Sequence, residues 1–274
     1  MKRRTFEAGK IVATGILAFV LVACGAANEN SETKVTNGKV IGDSSYPSVV
    51  QIYAAVEGKP GTCTGTFVSK TKMITAGHCV EGLDSSDPKL YVLGKRVENG
   101  EEKYFAKVKA VSFKRHPKYD ISLGVSRYDV TVVTFPADSA SGVSTPASKS
   151  PSVGQKLTIV GYGANVLTGV PGGRVNGSGG GAKRVGTNTI TAVSNGFIAF
   201  SGLPVADGVA AVGTDVSSGP GDSGGPLFVG GQLAGVTSGG GLREDAQRNI
   251  RGDSNYVDIN SVFVKDFVTK ALEL

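Results

Sequence analysis

Short runs of β-branched residues, each bounded by turn formers, recur along this chain and restrict it to many brief strands joined by tight connections. Ser48-Val49-Val50-Gln51-Ile52-Tyr53 and Lys156-Leu157-Thr158-Ile159-Val160 are two such runs. With 40 Gly and 11 Pro in 274 residues, turn-forming residues are frequent enough to punctuate strands throughout. The fold class predicted is all-β.

One run departs from this plain scaffold. Residues 221 to 226 read Gly-Asp-Ser-Gly-Gly-Pro, centred on Ser223. A serine between glycines is ordinarily a turn, because Gly supplies positive φ and Ser bonds back to its own backbone. The same run also suits a nucleophile, which needs backbone N–H donors aimed at the oxyanion it creates and room for a substrate backbone. Gly221 and Ser223 are the candidate donors. A nucleophilic hydroxyl also needs a base, and the chain has two histidines, His78 and His116. His78 follows two short strand pieces around the polar turn Ser69 to Lys72, whereas His116 precedes Pro117 in a Lys/Arg-rich loop. His78 is the candidate base.

Together these segments resemble the trypsin/chymotrypsin family of serine endopeptidases. Thr75-Ala76-Gly77-His78-Cys79 resembles the family's Thr-Ala-Ala-His-Cys box with Gly77 in place of the second Ala, and residues 221 to 226 match its serine box. Tyr128-Asp129-Val130-Thr131-Val132-Val133 resembles the segment carrying the family's catalytic acid. The order His78, Asp129, Ser223 is that of this family and differs from subtilisins and α/β-hydrolases. Asp120 is the rival acid, in what reads as an exposed loop. The resemblance implies two six-stranded antiparallel β-barrels, expected near 40–148 and 149–258 and joined by the Ser/Pro-rich stretch 139–151. A closing helix is expected within 260–272.

Further expectations rest on the same resemblance. Cys63 and Cys79 would form the disulfide that brackets the histidine loop. Val40-Ile41-Gly42-Asp43 resembles the family's activation site in three residues of four, so cutting after Lys39 would free a Val40 ammonium to pair with Asp222. By the family's spacing Ser217 falls at the base of the primary pocket, with Asp215 close by, Ser238 and Gly240 on the strand that pairs with substrate, and Ser254 on the pocket wall. A neutral Ser217 implies apolar or small substrate residues. The Gly-rich loop 164–186 occupies the autolysis-loop position, and its composition predicts a mobile surface loop without chemistry.

The amino end is a separate module. Lys2, Arg3, Arg4 and Lys10 precede an apolar run from Ile11 to Ala23, shaped like an export signal and too short to span a bilayer comfortably. Leu21-Val22-Ala23-Cys24 resembles the lipobox of bacterial lipoproteins, in which the cysteine is acylated; ordinary signal cleavage near Ala26 is the alternative. Residues 1–23 would thus be signal, 24–39 a tether or propeptide, and 40–274 the peptidase. A net charge of +6 names no partner, and the sequence offers no metal-ligand cluster and no basic stripe with stacking aromatics. The expected partners are protein or peptide substrates, an activating protease, and a membrane through lipid on Cys24, with no cofactor, metal or nucleic acid, and a monomeric state. Two functions follow: an exported serine endopeptidase, or a catalytically silent relative that binds or adheres.

Overall fold

The structure is a computed structural model that describes residues 35–273 apart from Asp207 and Val209. The signal, Cys24 and the tether up to residue 34 lie outside the described residues. A two-residue strand β1 (Lys39–Val40) comes first. The next seven strands are β2 (Val49–Ala54), β3 (Gly61–Phe67), β4 (Lys72–Thr75), β5 (Leu90–Glu98), β6 (Glu101–Lys109), β7 (Ser112–Arg115) and β8 (Thr131–Thr134). They make one antiparallel sheet in the order β6-β5-β2-β3-β4-β8-β7. Then come β9 (Lys156–Gly161), β10 (Val166–Thr168), β11 (Asn176–Ser178), β12 (Arg184–Thr189), β13 (Ala192–Ser194), β14 (Phe197–Gly202), β15 (Pro226–Val229), β16 (Gln232–Glu244) and β17 (Ile250–Asp258). All but β10 and β11 join β1 in a second sheet, ordered β1-β12-β9-β15-β16-β17-β14-β13.

The result is the two-barrel all-β fold. Apolar residues on the inward faces of each sheet fill separate cores: Ile52, Phe67, Met73, Leu90 and Phe135 in the first barrel, and Leu157, Ile159, Ile198, Phe200 and Tyr256 in the second. Strand β2 feeds two cores from its two faces: Ile52 and Ala54 lie in the first-barrel core with Val50 packed against it, whereas Val49 lies in the core between the barrels. A third core lies between the barrels, where Val49, Ile74, Val132, Tyr162, Val236 and Val257 meet. The helix α1 (Lys265–Leu272) closes this seam by burying Val268, Ala271 and Leu272. No helix among the described residues is long and apolar enough to cross a membrane.

Two expectations change. β1 pairs with β12, Lys39 opposite Val185 and Val40 opposite Arg184, so this segment belongs to the second sheet and not to the start of the first barrel. The Gly-rich loop is not a structureless surface loop: β10 and β11 form an antiparallel hairpin with Leu167 opposite Gly177.

Candidate active site

Register alone brings histidine and aspartate together. β4 and β8 are antiparallel, with Thr75 opposite Thr131, so the residues just after β4 and just before β8 leave at the same edge. His78 and Asp129 are those residues. His78 Nδ1 lies 2.8 Å from Asp129 Oδ2, and the His78 backbone N–H donates to Asp129 Oδ1 at 2.9 Å. Ser238 Oγ donates to Asp129 Oδ2 at 2.7 Å. The carboxylate is fully buried, and these donors replace the water it has lost. The His78 side chain keeps 27% of its surface exposed, so its ring reaches the solvent-facing cleft.

Gly77 has a reason in this geometry. A Cβ there would lie 3.1 Å from both Asp129 Oδ1 and the Tyr119 ring, so the missing methyl makes room for Tyr119 beside the carboxylate. The Tyr119 hydroxyl is buried without a partner, and burial raises its phenol well above the ordinary range. The Cys63–Cys79 disulfide ties the residue after His78 to β3. With a sequence separation of 16, such a bridge is worth about 3 kcal/mol in the chain-entropy estimate. His78 also lies near the two sulfurs, but the disulfide consumes the thiolates a metal would need. The rival residues sit elsewhere. His116 is buried, stacked on Tyr128 at 4.9 Å and edge-on to Phe267, and Asp120 is exposed and accepts from Ser122 N.

Ser223 lies three residues before β15. Gly224 N donates to Thr237 O and Thr237 N to Gly225 O, each at 2.9 Å, which stitches the serine loop to β16. Gly224 has φ 75°, and a Cβ there would fall 2.0 Å from Thr75 Oγ1, so only glycine lets this loop close onto β4. The first barrel grips the loop through one residue, Thr64. Its N–H donates to Ser223 O at 2.8 Å, its Oγ1 to Gly221 O at 2.9 Å, and its carbonyl accepts from Thr75 Oγ1 at 2.9 Å. Ser223 lines an open cavity on the second-barrel side of this loop. Among the described residues its Oγ makes no hydrogen bond, and the backbone N–H groups of Gly221 and Ser223 likewise have no acceptor in the protein, whereas those of Asp222, Gly224 and Gly225 do. Two adjacent free donors beside a free hydroxyl are what an attacked carbonyl requires.

Asp222 is the buried charge behind this loop. Its carboxylate accepts from Gly163 N at 2.8 Å and Gly219 N at 2.9 Å, yet burial pushes its pKa up to about 6. The Arg184 guanidinium opposes that shift from nearby; Arg184 is itself fully buried, with Nε and Nη2 unpartnered. The segment expected to be cut, Lys39–Val40, is a paired strand, and a more deeply buried segment precedes it. Val40 is held in β1 and is 39% exposed, while Val35 is fully buried in the second-barrel core. Thr36 forms a bridge with Ser217 and accepts from Ser217 N at 2.8 Å, and Asn37 Nδ2 donates to Thr214 O at 2.7 Å. The inserted segment is 35–38, five residues earlier than the sequence suggested.

A cavity of about 360 Å³ opens beside Ser223, walled by Ser218, Gly219 and Pro220, by Thr237, Gly239, Gly240 and Gly241 of β16, and by the β10–β11 hairpin. Of the pocket residues expected, Gly240 lines it. Ser217 does not, because its hydroxyl is taken up by Thr36 and Leu203 O. Asp215 is drawn off into an ion pair with Arg251 at 2.6 Å. Ser238 serves Asp129, and the Ser254 hydroxyl accepts from Ser218 N at 2.9 Å, behind the wall residue.

A model of the trypsin family matches residues 35–262. The chain belongs to the trypsin family. Among curated relatives it is 29% identical to "Trypsin iota" of Drosophila melanogaster over 237 residues, covering 82% of this chain and 87% of that protein. It is 30% identical to "Trypsin" of Phaedon cochleariae over 198 residues, 65% of this chain and 68% of that one. The trypsin-family match begins at Val35, the first residue of the buried segment.

Proposed function

We propose that this trypsin-family chain is an exported serine endopeptidase. Ser223 Oγ attacks the scissile carbonyl while His78 Nε2 takes its proton and later gives it to the leaving amine; Asp129 holds the Nδ1–H tautomer and stabilises the imidazolium. The N–H groups of Gly221 and Ser223 bind the oxyanion. The observation that carries this reading is the buried Asp129 carboxylate bonded to both the ring and the backbone of His78. Metal and cofactor have no part in these steps.

Activation then follows from Asp222. The fully buried carboxylate sits at about 6 with the Arg184 guanidinium nearby but, among the described residues, no cation in ion-pair contact, and Val35 is already inserted in the same barrel. Cutting Lys34–Val35, and not Lys39–Val40, gives Val35 an ammonium to pair with Asp222. The cut also frees the domain from the amino-terminal segment. If Cys24 carries lipid, activation is release from a membrane. Among the described residues the cavity has no acidic wall residue, so the cut after lysine is assigned to a different protease. The test is to fractionate cells expressing wild type and Lys34→Gln and to sequence the amino terminus of the soluble form. Soluble active enzyme beginning at Val35, absent in the variant, is expected; active enzyme with an intact Lys34–Val35 bond would overturn the zymogen reading.

A further inference from the structure

The Gly-rich hairpin is the part of the molecule for which composition suggested no task, and it ends in the substrate cavity. Leu167 of β10 and Val175, just before β11, line the cavity together with Ser223. Leu167 is buried in a small cluster with Ala164 and Leu242, against which Val175 packs. The hairpin is fastened on several sides: Leu167 N donates to Pro204 O at 2.8 Å, Ala164 N to Pro220 O at 2.8 Å, and Gly172 N to Leu242 O at 3.1 Å. Gly219, three residues before Asp222, is where it comes closest. A Cβ there would lie 2.9 Å from both Leu167 Cδ2 and Ala164 O. From the first barrel, Tyr104 Oη donates to Gly181 O at 3.0 Å, steadying the segment that returns from β11.

We propose that Leu167 and Val175 determine specificity, forming the apolar wall against which the substrate side chain preceding the scissile bond is seated. This rests on the serine endopeptidase reading. The other walls are mainly glycine backbone and the small hydroxyls of Ser218 and Thr237, with no carboxylate among the described residues. A cavity so lined takes an uncharged, apolar side chain, and its depth is set by Leu167 because glycines contribute no side-chain bulk. A buried Lys or Arg would find no partner there.

The test uses the full chain, expressed with its native processing. Three forms are compared: wild type, Leu167→Ala and Val175→Glu. Each is first labelled with a fluorophosphonate probe and then profiled on a peptide library varied at the residue preceding the scissile bond. Leu167→Ala deepens the cavity, so the kcat/KM ratio for Phe over Ala at that residue should rise tenfold or more. Val175 is only partly buried, so a glutamate is tolerated there. Its carboxylate should confer cleavage after Lys and Arg that wild type lacks, a gain that mere loss of packing cannot produce. Labelled variants with the wild-type profile in both cases would overturn the proposal. Wild type that neither labels at Ser223 nor cleaves would instead sink the endopeptidase reading, and this inference with it.

Discussion

The histidine side of the site is fixed largely from within its own barrel, with one hydrogen bond from Ser238 of the second, whereas the serine side is held by segments that arrive from elsewhere in the chain. His78 and Asp129 sit at the ends of two paired strands, joined by two hydrogen bonds and flanked by a disulfide. Ser223 relies on Thr64 across the barrel seam, on glycines that allow close approach, and on a buried Asp222 whose pKa burial pushes up to about 6. The contrast teaches where control resides. In the proposed activation the base is ready before the cut, and the nucleophile's loop is the half that the cut would alter.

The largest effect that tests this comparison comes from removing the reacting groups themselves. Ser223→Ala and His78→Ala should each lower kcat by about five to six orders of magnitude, and the double variant by little more, because the two act as a unit. Steady-state turnover of the activated protein checks it, and strict additivity would break the pairing. Asp129→Asn should cost about four orders by favouring the wrong tautomer.

Stability experiments sharpen the difference between the halves. Replacing both Cys63 and Cys79 by alanine should remove about 3 kcal/mol from cut and uncut protein alike, since the bridge serves the histidine side in both. Asp222 should behave differently. Its folded pKa of about 6 lies above its ordinary 3.8, so the folded state binds the proton more tightly. The uncut chain therefore loses stability as pH rises from about 4 through about 6, by about 3 kcal/mol in total. Once Val35 supplies an ammonium, that loss should be largely offset. Urea unfolding at pH 4 and pH 7, in a Ser223→Ala background to prevent self-cleavage, should show a pH slope in the uncut form that Asp222→Asn flattens. A slope of the same size in the cut form would contradict the account.

The smallest effect expected is at Ser238. Its hydroxyl is one of three donors to Asp129, so Ser238→Ala should lower kcat about tenfold with KM little changed. A change confined to KM would return Ser238 to the substrate side.

The candidate triad residues could be picked out of the sequence because each lies inside a contiguous box whose spacing is set by local chain geometry. Strand composition likewise announced an all-β chain, and the disulfide followed from the family resemblance. What stayed hidden depends on which surfaces meet. Val35-Thr36-Asn37-Gly38 and Val40-Ile41-Gly42-Asp43 both follow a lysine and both carry a glycine, and only burial distinguishes the inserted segment from the strand. Thr64, Tyr119 and Arg184 carry no motif; their importance arises from contacts across the barrel seam or around a buried charge. The Gly-rich loop misled for a physical reason. Glycine suits mobility and close packing equally, and the orders of β10, β11 and the Gly219 contact decide for packing here.

The central claim is that Ser223 is a nucleophile activated by His78 and completed by the cut before Val35. Labelling with a fluorophosphonate probe, with the adduct mapped by mass spectrometry, tests it most directly. Protein beginning at Val35 should carry a single adduct on Ser223 at full stoichiometry; the uncut form should label far more slowly, and His78→Ala not measurably. Equal labelling of Ser223 in the His78→Ala variant, or none in the cut wild type, would contradict the account.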